Sequence, residues 1–117
     1  MSEMPAAPES IAFEDFLKID VRAGTITAAE KIPKADRLLK LEVNLGDILG
    51  TRTIAAGIAE CYTPESVVGR LVLVVVNLAP RKLKGVESHG MLLAGHRPDG
   101  IIELASCPLV PNGERIG

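Results

Sequence analysis

Between residues 39 and 45 the chain alternates without a break. Leu39, Leu41, Val43 and Leu45 are separated by Lys40, Glu42 and Asn44. A period of two puts the four apolar side chains on one face of a β-strand and the polar ones on the other. Such a strand needs a sheet that covers one face and leaves the other wet. Eleven glycines and eight prolines are scattered along the remaining sequence. That spacing suits short strands joined by turns and argues against a helix bundle.

Further strands are read on either side. Val21 to Ala28 forms a first strand, with Val21, Ala23 and Thr25 on one side and Gly24 marking a bulge or bend. Gly46 to Gly50 is a turn, and Thr51 to Ala56 a third strand ended by Gly57. Thr63-Pro64-Glu65 opens a short helix: Thr as N-cap, Pro at the first helical position, an acid in the first turn. Gly69 stops it. Leu71 to Val76 is a continuous apolar run, read as a strand covered on both faces. Met91 to Ala94 and Ile101 to Ala105 follow, the latter after a Pro98-Asp99-Gly100 turn. Three strands, a helix and two strands is the order of an all-β, five-stranded oligonucleotide-binding (OB) fold barrel. At 117 residues the chain affords one core. We assign residues 1–10 to a flexible lead and 11–117 to the domain. Phe13, Phe16 and Leu17 form one face of a short N-terminal helix, and Pro108 to Gly117 an extended tail. Both need cover.

The net charge of −2 is wrong for a nucleic-acid binder taken whole. Its distribution is not. Residues 1–20 hold five acids against Lys18, whereas Lys31, Lys34, Arg37 and Lys40 cluster against Asp36 alone. Arg81, Lys82 and Lys84 cluster against Glu87. The basic segments Lys31–Arg37 and Pro80–Gly90 read as loops. In an OB-fold they are the loops after strands one and four, which flank the ligand face. Catalysis is not expected: the sequence offers no nucleophile–base set, no paired acids near a His and no phosphate-cradling glycine loop. No metal or cofactor is expected either, because His89 and His96 lack ligand spacing with each other or with the cysteines. Cys61 and Cys107 read as reduced, packed thiols. The acidic, Pro-rich N-terminus is unlike a signal peptide, and Leu71–Val76 is too short to cross a membrane. A soluble, cytoplasmic protein is the expectation.

The segment from Val76 to Ala94 (VNLAPRKLKGVESHGMLLA) closely resembles the signature of the tRNA-binding domain found at the C-terminus of many methionyl-tRNA synthetases. The same domain occurs as free-standing tRNA-binding proteins and as the chaperone-like CsaA. Phe13 to Gly24, Lys34 to Leu41, Arg52 to Ile58 and Tyr62 to Glu65 also match, so the resemblance covers about residues 11–117. It implies an OB-fold with extra C-terminal elements, and tRNA recognised by shape at the outer corner of the L. It implies a homodimer where no synthetase body is attached, and an aminoacyl-tRNA synthetase as a possible partner. CsaA-like members tend to carry Ser-Ser-Ala-Gln where this chain has Ala55-Ala-Gly-Ile58, and Ser-Glu-Val where it has Ser88-His-Gly-Met91. On both counts the chain sides with the synthetase-linked type. A CsaA-like chaperone or peptide-binding homodimer is the rival reading.

The candidate RNA-binding residues follow. Arg81, Lys82 and Lys84 would meet phosphates, Arg as a fork and Lys as a point charge. Lys34, Arg37 and Lys40 are weaker candidates, with an exposed loop as the alternative. Arg52 either joins the face or pairs with Glu42. Asn77, Ser88 and Met91 fall on the signature, with a turn-stabilising Asn, a loop Ser and a core Met as the alternatives. Ala79 stands where the family often has Lys, which removes one cation. Phe13, Phe16, Leu17, Leu109 and Val110 are the candidate dimer face. With only 3% aromatic residues, stacking should be minor beside phosphate contact.

Overall fold

The spine of the molecule is one long strand, β1 (Val21–Ile32), which pairs with three others. The computed structural model describes residues 7–117. After a one-turn helix, α1 (Phe13–Phe16), come β1, β2 (Ala35–Asn44), the helical turn α2 (Gly46–Leu49) and β3 (Thr51–Ala56). Then follow α3 (Pro64–Val67), β4 (Leu71–Val75), β5 (Arg81–Leu83), β6 (Val86–Ser88) and β7 (Met91–Leu92). The C-terminal elements are β8 (Ala94–His96), β9 (Ile102–Leu104) and β10 (Arg115–Ile116). The main sheet runs β3-β2-β1-β4-β7, all antiparallel, with β10 added along β1. β6 returns along β3: the His89 amide donates to the Thr53 carbonyl at 2.8 Å. The Ala55 amide donates to the Ser88 hydroxyl at 3.0 Å. These bonds close the five-stranded path into the expected OB barrel.

The core follows the alternation. Leu39, Leu41, Val43 and Leu45 are fully buried and meet Ile26, Ile54, Val67, Val72 and Val74. Val72 to Val76 is buried throughout, as the unbroken run demanded. Val21, Ala23 and Thr25 do share a face, but the core side of β1 is the one carrying Ile26. The other face meets the tail, where the Thr25 hydroxyl bonds Asn112. The register slips at Thr27, not at Gly24. Helix α3 carries the Thr63 cap reciprocated by Ser66, and its Val67 plugs the barrel. Tyr62 packs on the core, and its hydroxyl accepts the Leu104 amide.

Several readings need correction. The segment Lys31–Arg37 is not a loop. β1 and β2 continue to Ile32 and Ala35, leaving only Pro33-Lys34 as the turn. Pro80–Gly90 is not a loop either. It contains the β5–β6 hairpin, turned by Lys84 (φ 50°) and Gly85 (φ 84°). This left-handed pair matches the twist of a two-residue hairpin. The turn at Gly46 to Gly50 holds the helix α2, and the strand read from Met91 to Ala94 divides into β7 and β8. Cys61 is exposed rather than packed, its sulfur accepting the Ile102 amide at 3.3 Å, and both cysteines are free. Residues 1–6 of the proposed lead lie outside the described residues; residues 7–10 are exposed and outside any helix or strand.

Candidate nucleic-acid interface

The two basic segments share one apolar cluster with β3. Ile32, Ala35 and Leu38 of the β1–β2 hairpin pack with Ala55 of β3 and with Leu83 and Val86 of the β5–β6 hairpin. This satellite cluster lies outside the barrel core. Lys34 lies between Ile32 and Ala35, and Lys84 between Leu83 and Gly85, so the cluster joins the turns that carry them. Arg81, Lys82, Lys84, Lys34 and Arg37 are all exposed. Among the described residues, no ion pair involves Arg81, Lys82, Lys84 or Lys34. Arg37 reaches Glu60 at 3.5 Å and Lys40 reaches Glu30 at 3.6 Å, in exposed pairs that contribute little.

Arg52 does not pair with Glu42, whose carboxylate accepts the Thr53 hydroxyl at 2.9 Å. Its guanidinium donates to the Val76 carbonyl. Arg52 and Lys40 nevertheless line one hollow of about 430 Å³ with Thr51, Thr53 and His89, roofed by the β5–β6 hairpin. Met91 is 44% exposed rather than a core residue, and lines two further hollows together with Arg81.

Asn77 and Ser88 are engaged inside the chain. The Asn77 side chain accepts the Asp20 amide at 2.9 Å and donates to the Lys18 carbonyl, tying the N-terminal segment to the end of β4. Ser88 is buried; besides accepting from Ala55 it faces the Gly90 carbonyl at 3.4 Å. Sequence reasoning missed His89 and His96, which line hollows although they have no metal-ligand spacing. The Lys84-Gly85 turn was the available signal. Once it marks a hairpin, His89 falls at the end of β6, against β3.

The opposite end is held by charge. Arg22 donates to both oxygens of Asp20, at 2.7 and 3.1 Å, and to the Gly113 carbonyl at 3.0 Å. The guanidinium hydrogen bond, with the fields of Arg22, Arg115 and Arg52, outweighs desolvation and holds the Asp20 carboxyl below its ordinary value. Arg115 donates to the Leu17 and Ile19 carbonyls. The apolar face of α1 is left open: Phe13, Phe16 and Leu17 are 68, 45 and 49% exposed. Leu109 is 96% exposed and Val110 half-buried.

Residues 21–114 match the family described as "Putative tRNA binding domain". The chain belongs to this tRNA-binding domain family. The domain is 54% identical over 101 residues to a methionine–tRNA ligase of Porphyromonas gingivalis, a match covering 85% of this chain and 15% of that protein. It therefore spans about one-seventh of the length of that relative. Among solved structures, the MetRS-related protein from Pyrococcus horikoshii superposes with a TM-score of 0.87 at 39% identity, covering 94% of this chain and all of that one. The chaperone CsaA from Bacillus anthracis gives a TM-score of 0.83 at 34% identity, covering 93% and 100%. Among the described residues no acid, His or Cys cluster could hold a metal, and no helix is long and apolar enough to cross a membrane.

Proposed function

We propose that this tRNA-binding domain grips folded tRNA by its phosphates, without catalysing a reaction. Arg81, Lys82 and Lys84 are the principal contacts, and Lys34, Arg37 and Lys40 flank them. One observation carries the reading: the cluster of Ile32, Ala35, Leu38, Leu83 and Val86 joins the two basic hairpins, and the cations on them are exposed and, among the described residues, mostly unpaired. A charge that has no protein partner remains available to an anion at little desolvation cost. The overall negative charge then suppresses binding elsewhere on the surface.

The open face of Phe13, Phe16 and Leu17 supports a homodimer, because a two-fold interface would cover it and double the phosphate contacts. The likeness to methionine–tRNA ligases supports a role beside such a synthetase in the cytoplasm. The likeness to a CsaA chaperone favours a second reading, in which the same surface holds unfolded peptide. Filter binding of bulk tRNA, single-stranded RNA and a reduced, alkylated polypeptide separates the two. tRNA should bind tightest, and Arg81→Ala/Lys82→Ala should lower its affinity about tenfold or more. Tighter binding of the polypeptide, unaffected by those substitutions, would establish the chaperone reading instead. Light scattering at micromolar concentration tests the dimer; a clean monomer defeats it.

A further inference from the structure

Arg81 and Met91 stand between two neighbouring hollows. The first, of about 290 Å³, has walls of Leu38, Leu83, Leu92 and Ile102 and is reached by His96. The second, of about 360 Å³, is lined by Leu78, Ala79 and Pro80. Arg81, Gly90 and Met91 belong to both, and no Asp or Glu lines either. Each is at the lower end of small-ligand size, about 300 to 1000 Å³. Apolar walls around a shared, exposed guanidinium fit a ligand whose units each carry a flat apolar group and a bridging anion. A nucleotide chain has that form. Paired bases in an RNA duplex are stacked away from such hollows, whereas unpaired bases can be splayed into them.

From this arrangement the geometry points to a base-accepting site: two consecutive unpaired nucleotides seat one base in each hollow, Arg81 holds the phosphate between them, and Met91 lies against the base faces. This rests on the RNA-binding reading above and extends it from phosphate contact to the recognition of an unpaired step. The chain does without aromatic platforms here. A thioether against a ring edge supplies a weaker attraction, which tolerates any base.

The test titrates the full chain with a short single-stranded RNA carrying 2-aminopurine at two adjacent positions. The same strand annealed to its complement, bulk tRNA and a reduced, alkylated polypeptide are titrated alongside. The 2-aminopurine emission should change on binding the single strand and stay unchanged with the duplex. Met91→Ala should weaken both the single strand and tRNA about two- to tenfold while leaving the salt slope intact. Met91→Leu should recover part of the loss, and Ile48→Ala, at a residue 98% exposed and remote in the fold, should change nothing. tRNA binding with silent 2-aminopurine would overturn the base site and leave the phosphate reading standing; this arm needs no variant to fold. Absence of all RNA binding would overturn both. Polypeptide that competes with the single strand, and is itself weakened by Met91→Ala, would assign the hollows to peptide.

Discussion

The two ends of this barrel use charge in opposite ways. At the end carrying the basic hairpins, Arg81, Lys82, Lys84 and Lys34 have no ionic partner among the described residues, and an apolar cluster packs beneath them. At the end carrying the chain termini, Asp20, Arg22 and Arg115 are bonded to one another or to main-chain carbonyls, while Phe13, Phe16 and Leu17 stand open. Satisfied charges anchor the chain; the exposed ones remain in solvent. A simple count of lysines and arginines cannot tell the two apart.

The contrast can be broken by experiment. Its largest consequence is in salt. If a dimer neutralises roughly four to six phosphates, tRNA affinity should fall at least about a hundredfold between about 50 and 200 mM salt. Arg81→Ala/Lys82→Ala/Lys84→Ala should flatten that slope without shifting Tm. A flat titration of the unmodified protein would place binding outside the unpaired cations.

Next in size is an effect on stability alone. Gly113 has a φ of +90°, and a Cβ there would stand 2.7 Å from the Leu45 carbonyl oxygen. Gly113→Ala should cost about 3 kcal/mol in denaturant unfolding, with tRNA affinity per folded molecule unchanged. Loss of RNA affinity in the folded variant would show that the two ends communicate. Asn77→Ala should cost about 1 to 2 kcal/mol, since the Asp20 amide and the Lys18 carbonyl lose their partner. Were it to weaken RNA binding with stability intact, Asn77 would belong to the interface.

The smallest effect is in acid. The Asp20 carboxyl is held low in the folded protein, so its contribution is complete above the unfolded aspartate range near about 4. It is lost as pH falls through the lower folded value. Asp20→Asn should therefore lower Tm at neutral pH and make little difference in strong acid; equal losses at both would exclude the ion pair as the cause.

Much of the fold was legible because its strongest signals are local. The alternation from Leu39 to Leu45 set the half-buried strand, the run from Leu71 to Val76 the buried one, and Thr63-Pro64 the helix start. The basic segments were found as clusters of charge but misread as loops. Pro33 and dense charge hid the continuation of β1 into β2, and β5–β6 has only Leu83 and Val86 to mark a packed face. The partners of Asn77 and Ser88 were beyond reach for another reason. Their hydrogen bonds go to residues 57, 59 and 33 positions away in the chain, a relation no short window contains.

The cluster beneath the basic hairpins has a further consequence. The spacing between the two sets of cations is maintained by aliphatic side chains, whose contacts are indifferent to ionic strength over the range in which RNA dissociates. The protein thus behaves as a rigid gauge. A plot of log affinity against log salt should stay straight, and its gradient should report the number of phosphates neutralised rather than any rearrangement of the protein surface.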